Sequence, residues 1–410
     1  MSRRLLAMLV AGVLAVVGTV AVAATWDRGD GDRRTGRAAD VLEPPAPPGV
    51  QAQQLSAVPP GKRLPLRAGE RRMTLEMDAD YTPSAPSGVG TDDYRCFLLD
   101  PGLTQDVWLT GSQVLPGNHD VVHHVILFEV GPDEVGEAES LDAQTEGPGW
   151  TCFGGTGLAG EFTRLTDANW LAAWAPGGDE VKTPDGYGTR LEAGSRIVMQ
   201  VHYNLLQGAA PDRSATQLRW MAGDRDLDAL HTYLMPAPVE LHCRAARDDG
   251  PLCDRDAAMV DLRKRFGGAS FTADALHLLC GELGEPSEVT TCTRRVPAEM
   301  TVLCVSGHMH LLGRQISIVA NEGTPEERTL LDIPLCDFDD QGSRPIDPVT
   351  LEPGDTLTVT CRHEQWLRDK LPAFAGQEEK YVLWGDGSTD EMCLGMLQVA
   401  YAGGVPEARF

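Results

Sequence analysis

Residues 120–130 read DVVHHVILFEV, with PGN before them and GPD after. A run of β-branched and aromatic residues between turn formers reads as a buried strand. Two histidines, His123 and His124, sit side by side in its middle. Successive side chains of a strand point to opposite faces, so two adjacent imidazoles do not belong on one face of a regular strand. Buried imidazoles also need hydrogen-bond partners, and an apolar strand supplies few. A metal ion would satisfy both rings.

Outward from this strand the pattern repeats. Short apolar runs separated by Gly, Pro and Asp recur as YRCFLL, SRIVMQVHYN, TQLRWMA, MTVLCVSGHMH, RQISIVA, DTLTVTC and MLQVAY. Turn signals such as LEAGS and LEPGD precede two of them. Short strands at such spacing predict an all-β chain of sandwiches or barrels. The stretch 254–278 is the exception, with the makings of a helix, and reads as an insertion. The strand rhythm breaks near 223–236, where a domain junction fits.

The chain has 410 residues and is 42% hydrophobic, long enough for two ordinary domains. Its formal charge of −25 argues against nucleic acid and anionic membrane as partners. The N-terminus has two arginines, an apolar stretch and Ala21-Val22-Ala23, the pattern of a secretory signal over residues 1–24. The apolar run is close to the length of a membrane helix, so an uncleaved anchor is the alternative, and the membrane is a partner only in that case. Either way the folded part is expected outside the cytoplasm, and the scarcity of lysine against arginine, alanine and glycine suggests a bacterial source. Residues 25–70, rich in Pro and Gly, read as a disordered linker. Ten cysteines, an even number with no CxxC pair, favour disulfides over a thiolate zinc ribbon.

Five of the ten histidines fall in or beside predicted strands: His123-His124, His202 in MQVHYN, and His308-x-His310 in SGHMHLLGR. A lone strand histidine is more often an ordinary packed residue than a ligand. The HxH pair carries more, because positions i and i+2 share one strand face and can reach one metal. Imidazole suits Zn, Cu, Fe and Ni, whereas a thioether selects copper, above all Cu(I). Met392, in the polar stretch GDGSTDEMCLGM, is the candidate sulfur ligand.

Taken together, VVHHVILF, QVHYN, HMHLLGR and STDEMC resemble the copper type II, ascorbate-dependent monooxygenases, in order and at similar separations over residues 121–393. That family includes the peptidylglycine α-hydroxylating, dopamine β- and monooxygenase-X-like proteins. The resemblance implies two tandem jelly-roll-like β-sandwiches, spanning 71–225 and 226–410, with one copper each. His123, His124 and His202 would hold an electron-transfer copper, and His308, His310 and Met392 an O₂-activating copper where catalysis occurs. It implies a reductant such as ascorbate, O₂ and a small-molecule substrate as partners. Gln200, two residues before His202 on the same strand face, is a candidate supporting residue behind the ligands. The peptide-amidating branch holds its substrate carboxylate with an Arg, an Asn and a Tyr. Here those positions are Ser306, Leu394 and Met396, which points to a small or apolar organic substrate instead.

Cys361–Cys393 matches a bridge of the family. Cys96–Cys152 is the natural pair in the first domain, which has no other cysteine. The other six cysteines allow 15 connectivities, which the sequence does not decide, and proximity suggests Cys243–Cys253, Cys280–Cys292 and Cys304–Cys336. The competing reading is an exported copper-binding protein without catalysis. A zinc hydrolase would leave Met392 without a purpose, and an adhesive sandwich would leave the histidines unexplained. If one copper sits on His123, His124 and His202, the 122–130 strand cannot stay regular. The expectation is a bulge or sharp twist near 122–124, or a strand end there.

Overall fold

A computed structural model describes residues 63–86, 90–158, 167, 168, 170–267, 271–281 and 285–405. All eight strands anticipated from the sequence are present, among them Asp92–Leu99, Val122–Val130, Arg196–Asn204, Met300–His308 and Cys393–Tyr401. The chain is an all-β protein of packed sheets. The expected signal and most of the expected linker lie outside the described residues.

Strands up to Ala229, apart from Asp167–Ala168, build two mainly antiparallel sheets. In one, Arg71–Glu76, Ala215–Ala222, Val107–Leu115 and Tyr187–Leu191 lie side by side, with Asp228–Ala229 parallel at the end. In the other the order is Trp150–Thr151, Asp92–Leu99, Arg196–Asn204, Val122–Val130, Trp170–Trp174. The two sheets share one core, in which Val125, Leu127, Ile197, Met199 and Val201 meet Val107, Leu109 and Leu218. Alternate residues of the second sheet therefore point away from this core, and Cys96, Phe128, Val130 and Val198 pack in a separate cluster with Ala138 of the helix Val135–Gln144. Tyr94, Gln200 and His202 belong to that outward face.

Strands from His231 onward build the second sandwich. One sheet runs Arg344–Leu351, Met300–His308, Cys393–Tyr401, His231–Ala237, and the short Asp167–Ala168 strand completes its edge. The facing sheet runs Val289–Arg295, Thr356–His363, Gly313–Ala320, Arg328–Ile333. Met300, Val302, Val305, Leu397 and Val399 of the first meet Ile316, Ile318, Leu331, Leu357 and Val359 of the second in one core. The paired Gly307 and Gly395 let the sheets approach: a Cβ on Gly307 would lie 2.7 Å from Ile316 Cγ2, and one on Gly395 would lie 2.9 Å from Ile318 Cδ1.

The insertion holds two helices, Arg255–Phe266 and Phe271–Cys280, rather than one. Cys243–Cys253 and Cys280–Cys292 staple it, and Cys96–Cys152 and Cys361–Cys393 are formed as well. Cys304–Cys336 is not: both are free thiols. Cys304 clusters with Leu230 and Leu303 on the outer face of its sheet, whereas Cys336 packs against the main core, so the sheet separates them. The linker also ends earlier than the composition suggested. The carbonyls of Leu64 and Pro65 accept from Arg219 at 3.2 and 2.8 Å, and Glu70 pairs with the same buried guanidinium. Four disulfides fit an oxidising, exported setting. No helix among the described residues is long and apolar enough to cross a membrane.

Candidate metal centre

The strand register answers the question posed by His123 and His124. His124 stands opposite His202, but the next pair is Val122 with Tyr203, so His123 is skipped in the ladder. That is a β-bulge: two residues of one strand oppose one of the other. Its effect follows from the alternation. Val122 and Val125 both face the core with Tyr203, which leaves His123 and His124 together on the outward side.

The three rings converge there. The Nδ1 atoms of His123 and His202 each lie 3.2 Å from Nδ1 of His124. Imidazole nitrogens about 2.0–2.1 Å from a tetrahedral ion would be spaced by about 3.3 Å, so this triangle has the size a metal requires. The three side chains form a group able to hold a metal ion. Burial, then the neighbouring imidazoles, pushes the His124 pKa well below the ordinary histidine value, which keeps its nitrogen free for a ligand bond.

Asp92 completes the arrangement from behind. Its Oδ1 accepts from His202 Nε2 at 2.8 Å. Burial raises the Asp92 carboxyl pKa, but the hydrogen bonds from His202 and Ser388 outweigh it and hold the group below its usual value. An ionised acceptor keeps the His202 proton on Nε2 and leaves the Nδ1 lone pair toward the triangle. Tyr94 stacks on His202 with centroids 4.1 Å apart, and Phe338 stacks on His123 at 4.2 Å. Asp92 was invisible to motif reading because nothing in the sequence ties position 92 to position 202. Gln200, the sequence's candidate for this role, instead donates to the carbonyls of Gly155 at 2.6 Å and Cys152 at 3.3 Å. It holds the disulfide loop.

The second group is carried by the Met300–His308 and Cys393–Tyr401 strands. His308 pairs with Leu394, so Met392 and His310 follow at the same end of the ladder. The His308 and His310 rings are 5.1 Å apart, centroid to centroid. Burial, then neighbouring imidazoles, pushes both pKa values down to about 3. His310 is 2% exposed, yet neither ring nitrogen has a hydrogen-bond partner among the described residues. An orphaned buried imidazole of this kind fits a missing ligand bond. Met392 and His308 line one cavity of about 1010 Å³ together with His123 and His124.

The two groups are contiguous. The His124 and His308 rings are 5.7 Å apart, and the structure brings all five histidines into one chain of ring contacts. Asp92 reinforces the junction: the same Oδ1 that holds His202 accepts from Ser388 Oγ at 2.6 Å and Ser388 N at 3.2 Å, four residues before Met392. Tyr94 adds a bond from its hydroxyl to the Asp386 carbonyl at 2.7 Å. Ser306, Leu394 and Met396 all line the same cavity, which is therefore apolar where the peptide-amidating branch would be charged.

No family model matches the chain, and no curated protein matches it. Some solved structures show remote likeness. A Paenibacillus xanthan lyase is 12% identical at a TM-score of 0.19, and this chain, covered over 81%, spans 25% of its length. The infectious bursal disease virus VP2 subviral particle is 8% identical at 0.19, covering 82% of this chain and 72% of its own. Allantoicase is 12% identical at 0.14, covering 66% and 74%. At such scores the likenesses assign neither fold nor function.

Proposed function

We propose that the chain is an exported copper-dependent monooxygenase that hydroxylates a C–H bond of a small or apolar organic molecule with O₂ and a reductant such as ascorbate. The observation that carries the reading is the Nδ1 triangle of His123, His124 and His202 beside the orphaned His310. His123, His124 and His202 would hold one copper, and His308, His310 and Met392 the other. A thioether in the second set favours Cu(I) over zinc. Bound copper would supply the electron transfer and O₂ activation that no side chain can. One oxygen atom enters the substrate C–H bond, the other leaves as water, and the reductant provides two electrons.

The chain's own residues then do the rest. Asp92 keeps the His202 proton away from the ligand side. Leu394 and Met396 give the substrate an apolar wall, with Ser306 its small polar neighbour. Trp384 and Tyr94 also stand on the cavity wall, and Tyr94 holds the His202 ring by stacking on it.

Copper content and ascorbate-dependent O₂ uptake against a panel of phenethylamines and other small apolar molecules test the reading. Two coppers per chain and substrate-dependent uptake are expected, and Met392→Ile should keep much of the copper while losing turnover. Stoichiometric zinc in place of copper would refute the assignment. Copper binding with no uptake above free copper would favour the non-catalytic alternative.

A further inference from the structure

We infer that Glu391 is a positioning residue that sets the geometry of the His308, His310 and Met392 group; this rests on the copper reading above. Glu391 is fully buried, immediately before Met392. Its Oε2 accepts from the backbone N–H of His310 at 3.0 Å and of Met392 at 3.3 Å, and its Oε1 accepts from the N–H of Leu312. The segments it joins are 79 to 81 residues apart in sequence, and they are the two that carry the ligands.

The rest of the surroundings fix the carboxylate itself. The Glu391 carbonyl accepts from Gly385 N at 3.1 Å, and its own N–H donates to the Leu383 carbonyl at 3.3 Å. His363, fully buried, places Nε2 3.4 Å from Oε2 and 3.2 Å from the Met392 carbonyl. A carboxylate taken out of water is costly unless its lone pairs are used. Here three backbone N–H groups use them, and each belongs to the metal group or to its immediate support, while His363 bonds the Met392 carbonyl alongside. Arg265 and Lys380 serve the preceding residue instead: both bind Asp390. The loop thus has two adjacent carboxylates with separate duties, Asp390 holding the loop to the helix Arg255–Phe266 and Glu391 holding Met392 to His310.

Glutamine tests this because it keeps the shape and loses one acceptor. Whichever way its amide turns, an NH₂ group meets either Leu312 N–H or the His310 and Met392 N–H pair, donor against donor. The measurement is X-ray absorption at the copper edge of the full chain loaded with Cu(I), with total copper counted. In Glu391→Gln the sulfur scattering should fall at least twofold and the copper count should move from two toward one. Asp390→Asn, which disturbs the same loop without touching the bracket, should keep the sulfur signal. A full sulfur signal in Glu391→Gln, or equal losses in both variants, would overturn the inference. If Glu391→Gln does not fold, Glu391→Asp serves, since one methylene fewer withdraws the bracket while keeping the charge. A weakened sulfur signal there supports the role and an unchanged one overturns it. A wild-type chain that takes up no copper defeats the parent reading, and with it this one, and is told apart because it needs no variant.

Discussion

His124 and His202 face each other directly across two hydrogen-bonded strands, with Nδ1 atoms 3.2 Å apart, and the residue between His124 and the next ladder pair, His123, is the one that the bulge releases. Two ways of losing His123 test the bulge. His123→Ala keeps the extra residue and should lower metal affinity with little effect on the fold. Deleting the residue closes the bulge, keeps Val122 opposite Tyr203 and restores a regular alternation of Val122 in, His124 out and Val125 in. The deletion should therefore also lower metal affinity, at a cost to the metal-free fold below the burial of one valine, about 1.5–3 kcal/mol. Urea unfolding of the metal-free chains gives the comparison, and a deletion that costs more than this would refute the face assignment.

Asp92 acts on His202 and on Ser388 through one oxygen. Asp92→Asn should weaken copper binding at the three-histidine group by about 10–100-fold, the usual effect of losing such a partner. Chelator competition measures it. Ser388→Ala removes only the far arm and should leave that affinity close to wild type, so a loss as large as in Asp92→Asn would contradict the tautomer argument.

Asp386 lines the cavity, and burial, then the charges of Asp390 and Asp92, pushes its pKa up to about 7. A folded value above the unfolded one, near 4, means that the folded chain holds a proton the unfolded chain has released. The contribution to stability is full below about pH 4 and is lost as the pH rises through 7. Between pH 5 and pH 8 the wild type should therefore lose stability relative to Asp386→Asn, on the order of 2 kcal/mol. Parallel denaturation curves at the two pH values decide it, and a constant difference would sink the assignment.

Gly307 sits beneath His308, and its missing side chain leaves room for Ile316. Gly307→Ala should destabilise the chain by about 1–3 kcal/mol through overpacking. In Gly307→Ala with Ile316→Ala the two losses should be less than additive, because the second change removes both Ile316 atoms that the new methyl meets. Additive losses would mean that the strain lies elsewhere.

Alkylation of the unfolded, unreduced chain should label two cysteines, Cys304 and Cys336, and leave eight protected. Labelling of none would restore the fifth bridge.

The histidine motifs, the principal strands and the irregularity at 122–124 were legible because each rests on local spacing. The Cys243–Cys253 and Cys280–Cys292 staples were legible because each closes a short loop. What the sequence hid is non-local. Asp92 meets Ser388 across 296 positions, and Glu391 meets His310 across 81. Glu391 lies inside the STDEMC segment, yet its role depends on backbone N–H groups, which carry no residue-type signal. Gln200 misled for the opposite reason: strand periodicity placed it correctly on the outward face, but the Cys152–Gly155 loop claims its amide first. The Val107–Leu115 and Tyr187–Leu191 strands carry Gly, Thr and Ser among their apolar residues, and their pattern faded accordingly.

The two hydrophobic cores share no residue, and the histidine face of the first sheet lies outside its own core. Each ligand set is carried by one half, His123, His124 and His202 by the first sheet and His308, His310 and Met392 by the second sandwich. The contacts between the halves, through Tyr94, Asp92 and the His124–His308 pair, therefore bring two ligand sets side by side rather than building either. A chain can have both sets in place and still lack the arrangement that unites them.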